Sequence, residues 1–130
     1  PEKGFLAEAQ GFRIIADSLE LDCHWVPLAT TRRFLRDNRA EVKKICSVYA
    51  ESIRLFKTQP RETIKEITRW LPALAGHPHV IEKCYKLFAD LFEPSLKPSS
   101  ASLESILKEV ALQDGRAKDL DPTSLVETLT

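Results

Sequence analysis

The sequence has no methionine and only four glycines among its 130 residues. With so little glycine there is no phosphate-cradling loop and no G-x-S-x-G nucleophile elbow. The three cysteines, Cys23, Cys46 and Cys84, are an odd number at wide spacing, and no C-x-x-C occurs. Neither a zinc knuckle nor a redox pair is suggested by that pattern. No apolar run approaches the roughly 18 residues that a membrane-spanning helix needs. Net charge is absent too: Lys plus Arg and Asp plus Glu number 19 each. The overall balance therefore speaks neither for nor against a polyanionic partner. The chain opens at Pro1 without a basic-then-apolar signal segment. It is expected to be a processed product or a piece of a longer polypeptide.

What is present is ordinary for a globular protein: 43% apolar and 29% charged residues. The length suits one domain with its own core, and a single helical domain over residues 1–130 is expected. Charge is nonetheless uneven. From Arg32 to Lys44 there are six basic and two acidic residues, and from Glu104 to Thr130 six acidic and three basic.

Periodicity divides the chain. Glu2 to Gln10 reads as a short helix or turn that breaks at Gly11. Phe12 to Ala16 is a brief apolar run with two isoleucines, the best strand candidate, and Val26 to Ala29 is a second. Pro27 denies the stretch between them a long ladder. Thr30 or Thr31 can cap a short helix over Arg32–Asp37. Asn38 with Glu41 makes a capping-box-like start for the next helix. There Val42, Ile45, Cys46, Tyr49, Ile53 and Phe56 fall at steps of three and four, forming one face about four turns long.

Pro60 opens another helix, where its missing amide costs nothing. Ile64, Ile67, Trp70 and Leu71 supply its stripe. Gly76-His77-Pro78 repeats the device before Val80, Ile81, Cys84, Leu87, Phe88 and Leu91. The loop SLKPSSAS offers serine caps for a helix over Ala101–Asp114, and Asp114-Gly115 provides a stop that a left-handed glycine would favour. Asp121-Pro122 starts a last short helix. The count is about six helices against one or two short strands, so the fold class is mainly α. Strands this few cannot make a sheet, and Phe12–Ala16 must find a neighbour elsewhere.

Candidate chemistry is sparse. His77 and His79 flank Pro78, and His24 follows Cys23. Two histidines two apart around a proline do not share a helical face, and no further ligand pair stands at a recognised spacing, so no metal site is expected. Cys23 beside His24 does not provide the spatial Cys–His arrangement of a nucleophile. Cys46 and Cys84 lie on apolar faces, as buried thiols do, although one disulfide remains open. Arg32, Arg33, Arg36, Arg39, Lys43 and Lys44 could track phosphates. No aromatic residues interleave with them for base stacking, and nucleic-acid binding is not expected. Trp70, Phe56 and Phe88 read as packing residues. Trp25 is the one aromatic to watch for ligand contact. No catalytic residue, ligand-binding residue or cofactor is assigned.

The order of these features resembles a known family. GFRIIAD, followed after an irregular stretch by PLATTRRFLRDNRAEVKKICSVYAESIRLFKTQPRETIKEI, is similar to the C-terminal portion of ABC-transporter solute-binding proteins of the nitrate/sulfonate/taurine type, which include thiamine-pyrimidine-precursor-like members. The ending KDLDPTSLVETLT resembles such a protein's tail. Arg39 stands after Asn38, where the family often has proline. The resemblance implies a two-lobed α/β fold of the periplasmic-binding-protein type II kind, of which this chain would be a C-terminal piece. It implies a small-molecule solute and a membrane permease as partners, a periplasmic or extracellular, membrane-associated location, and a binding role instead of an enzymatic one. The iron-linked cysteine motif of the pyrimidine-synthesising relatives has no counterpart. Direct membrane insertion is not expected, and the piece alone is expected to be either a rearranged helical bundle or, as favoured, a homodimer in which copies cover each other. The alternative is a free-standing helical interaction domain.

Overall fold

The structure, a computed structural model, describes residues 1–16, 28–127 and 129. Six α-helices occur among them: α1 (Glu2–Ala9), α2 (Arg32–Asp37), α3 (Arg39–Thr58), α4 (Pro60–Trp70), α5 (Pro78–Leu91) and α6 (Ser100–Ala111). Short 3-10 helices cover Pro72–Leu74, Gly115–Asp119 and Pro122–Leu125. The mainly α expectation holds, but no strand is present among the described residues. Phe12–Ala16 is not in a strand, and every residue in it is exposed. A strand is defined by its ladder, and none of the backbone groups of residues 13–16 is paired with another described residue. The second strand expected at Val26–Ala29 lies partly outside the described residues; Leu28 and Ala29 are not in a strand.

The helix boundaries follow local chemistry. Gly11 at φ 91° ends α1. Phe12 N–H donates to Ala7 O and Gly11 N–H to Glu8 O, the paired bonds of a Schellman end. Thr31 caps α2 by accepting from Phe34 N at 3.1 Å. Ser99 caps α6 by accepting from Ser102 N at 3.0 Å. Pro60 and Pro78 occupy the first helical positions of α4 and α5. Asn38 departs from the capping-box expectation. Its side-chain amide reaches back to Phe34 O at 3.1 Å, closing α2, while its carbonyl accepts from Val42 N and opens α3. Gly115 also differs: it is not left-handed. Asp114 accepts from Arg116 N at 3.0 Å and turns the chain directly into a 3-10 helix.

The chain divides into two compact units, with the boundary inside α3 between Ile45 and Cys46. The first holds described residues 1–16 and 46–95. Here α5 is the centre, and α1, α4 and the Pro72–Leu74 turn pack on it. Leu74, Val80, Ile81 and Cys84 form the buried core, with Phe5, Leu6, Ile64 and Ile67 packed against it. At the far end of α5, Phe56 stacks on Tyr85 with centroids 5.3 Å apart, and Phe88 stacks on Phe92 at 5.2 Å. Lys57 Nζ donates to Phe92 O at 3.1 Å and fixes the end of α3 to that cluster. The second unit holds described residues 28–45, 96–127 and 129. In it α6 packs on the two C-terminal 3-10 helices, and Arg39 pairs with Glu127 at 2.6 Å.

Candidate functional site

The feature that most needs explaining is apolar surface without a cover. Along α3 the predicted stripe is only partly used. Val42, Cys46, Ile53 and Phe56 are half-buried, but Ile45 and Tyr49 of the stripe are exposed, and so are Val48 and Leu55 beside it, Val48 to 65%. Val48 and Leu55, seven residues apart, and Ile45, three before Val48, share one side of the helix, and Tyr49 lies at its edge. The stretch after α1 behaves likewise: Phe12 is 68% and Ile15 is 94% exposed. A contiguous apolar face of this kind marks an interaction surface more often than a scatter of single residues does.

Trp70 departs from its expected place in the α4 stripe, being 76% exposed. Ile64 and Ile67 do pack on the core. At 3.6 residues per turn Trp70 lies about 120° around the helix from Ile64, which carries it past the contact with α5. Phe56 and Phe88, in contrast, stand in the aromatic cluster as packing residues.

The basic cluster is partly committed to the protein itself. Arg32 donates to Ser124 O at 3.2 Å, Arg36 pairs with Asp37 at 3.0 Å and Arg39 with Glu127. Arg33 reaches Asp37 only at 3.9 Å and is 87% exposed in its side chain. Paired guanidiniums present less free charge to a polyanion than the sequence count suggests.

His77 and His79 meet edge to face with ring centroids 6.2 Å apart. His77 gives α5 its carbonyl as an acceptor for Val80 N. Among the described residues no group of three His, Cys, Asp or Glu side chains could hold a metal ion. Cys84 is buried, and desolvation pushes its thiol above the ordinary range, which keeps it neutral and inert. Cys46 is a free, half-buried thiol. Cys23, His24 and Trp25 lie outside the described residues.

Two openings occur beside α6. The larger, of about 630 Å³, has a floor of Leu107, Ala111, Ala117 and Leu120 with Lys108 and Lys118 at its rim. The smaller, about 260 Å³, lies near the start of α6 between Pro98 and Val126. Sequence reasoning missed Ser102, whose hydroxyl is wholly buried and has no hydrogen-bond partner among the described residues. Its place one turn into a capped helix gave no sign that Oγ would be orphaned. No helix among the described residues is long and apolar enough to cross a membrane.

No protein-family model matches the chain, and no similar curated protein or solved structure was found.

Proposed function

We propose that the chain is the helical C-terminal part of a solute-binding protein serving an ABC transporter, for a small solute of the nitrate, sulfonate, taurine or pyrimidine-precursor kind. It binds and delivers; it is not an enzyme. In this reading the intact protein has two α/β lobes, captures its solute between them and hands it to a membrane permease outside the cytoplasmic membrane. The observation that carries the reading is the combination of Phe12–Ala16, exposed and with no strand partner among the described residues, with the exposed apolar side Ile45, Val48 and Leu55 of α3. Helices that wrap a β-layer need such a stripe, and a strand that leads toward them needs a sheet to join. The order of helix starts described above supports the same reading by resemblance.

The coding sequence upstream of Pro1 tests it. The expected finding is a preceding α/β segment with an export signal, whose full product gives a ligand-dependent thermal shift with one of these solutes. A reading frame that starts beside Pro1 would overturn the proposal. The exposed stripe itself favours a second reading, a helical interaction domain that uses Val48, Tyr49 and Leu55 to hold a partner helix. That reading gains if the frame is short.

A further inference from the structure

We infer that α1 is a hinged cover on α5, latched by Lys83 over the packing of Phe5 and Leu6, and that its release uncovers the core around Cys84. This inference does not depend on the transport reading. α1 has eight residues and none of them is buried. A helix that short does not persist in water without a surface to lie on. Its surface is α5, against which Phe5 and Leu6 cover Val80, Ile81 and Cys84. Those three are the most buried residues of α5, at 0%, 2% and 5% exposure. The cover is therefore a short helix, unable to persist alone, lying over the most water-excluded part of the unit.

Two further observations make it a cover and not a fixed layer. Lys83 makes both of its polar contacts with α1: its Nζ lies 3.1 Å from Glu8 Oε2 and 5.5 Å from the centre of the Phe5 ring. One ammonium thus grips the first turn through a ring and the last turn through a carboxylate. On the other side α1 ends at Gly11, whose φ of 91° is cheap only for glycine. The following residues 13–16 make no backbone hydrogen bond to another described residue. Among the described residues, 13–16 add no backbone hydrogen bond that would resist a swing of α1 away from α5, and the restraints that hold α1 to α5 are Lys83 and the two apolar side chains.

Lys83→Met removes the charge and keeps the stem, and Lys83→Arg keeps both contacts. The measurement is the labelling rate of Cys84 by a thiol reagent under native conditions, in the full 130-residue chain with Cys23 and Cys46 replaced by serine. An exposed ion pair and an exposed cation–π contact together correspond to roughly three- to thirty-fold in an opening equilibrium. Lys83→Met should raise the Cys84 rate by that factor, and Lys83→Arg should leave it near wild type. Hydrogen exchange on the chain with its cysteines intact supplies the second reading. The amides of α1 should exchange faster by the same factor in Lys83→Met, while those of α4 and the middle of α5 keep their protection. An unchanged Cys84 rate, or a rise matched by equal loss of protection in α4 and α5, overturns the inference, because opening would then be global unfolding.

Discussion

Replacing Ile81 with alanine tests where this protein keeps its stability. Ile81 is 2% exposed and sits in a core of only four buried residues in its unit. The change removes three methyl or methylene groups, about 2.5 kcal/mol of transfer free energy at ~0.8 kcal/mol each. The hole left between Leu74, Val80 and the α1 side chains adds to that, so a total of roughly 2–5 kcal/mol is expected. A unit of about 65 residues has on the order of 3–10 kcal/mol to lose, at ~0.05–0.15 kcal/mol per residue. Ile81→Ala should therefore take away a third or more of it, and the melting temperature should fall by ~10 °C or more. Val48→Ala is the comparison. Val48 lies beside the α3 stripe and is 65% exposed, and its truncation should cost no more than about 0.5 kcal/mol. Urea unfolding followed by far-ultraviolet circular dichroism reads both. If Ile81→Ala costs less than ~1 kcal/mol, or Val48→Ala costs as much as Ile81→Ala, the distinction drawn between a used and an unused stripe is wrong.

Ser102→Ala should stabilise the chain by about 1 kcal/mol, because it removes a buried hydroxyl that has no partner among the described residues and leaves the Ser99 cap in place; a loss seen in the same urea titration would show that Oγ is satisfied after all. The Arg116 guanidinium, and then the Arg116 amide, hold the Asp114 carboxyl below the ordinary aspartate range, and the Thr123 hydroxyl and amide do the same for Asp121. Lowered folded values mean that their contribution is present above about pH 4, the unfolded aspartate value, and disappears as pH falls through the folded values. Carboxyl resonances followed through an acid titration should place both below a model aspartate, and midpoints at or above it would contradict the geometry. Burial raises Cys84, so the sign reverses: stability falls as pH rises above roughly 8.5, where the unfolded thiol ionises first. Cys84→Ala should flatten that alkaline slope in chemical unfolding, and an unchanged slope would assign it to other groups.

Most of the helical architecture is legible in the sequence, because its punctuation is strong. Pro60, Pro78, Thr31, Ser99 and Gly11 each perform a terminal role that follows from their own chemistry. Apolar periodicity locates α3, α4, α5 and α6 equally well. What periodicity cannot give is which stripe is covered. The α5 pattern from Val80 to Leu91 and the α3 pattern from Val42 to Phe56 look alike on paper. Only the former lies at the centre of its unit, while Ile45 and Tyr49 of the latter stay in solvent and its other members are only half-buried. Trp70 was misjudged for a related reason: a spacing of three was counted as one face although the angle keeps drifting along α4.

Strands and caps failed where the deciding partner is distant or ambiguous. Phe12–Ala16 has the composition of a strand, yet a ladder is a property of two segments, and no second one stands beside it among the described residues. Asn38 could cap forward by accepting at Oδ1 or backward by donating its side-chain amide, and it donates backward to Phe34 O. The orphaned Ser102 hydroxyl and the double grip of Lys83 arise from packing between segments far apart in sequence, where no local signal exists.

Whether the uncovered faces are made to be covered is settled by the mass of the 130-residue chain in solution, read by light scattering during size-exclusion chromatography over a hundredfold range of concentration. If Phe12, Ile15, Val48 and Leu55 await a neighbouring layer, copies should shield one another, and the mass should climb from 14.7 kDa toward twice that value as concentration rises. The climb should vanish in Val48→Glu. A constant 14.7 kDa at every concentration, with no binding of an apolar dye, would mean that these faces need no cover.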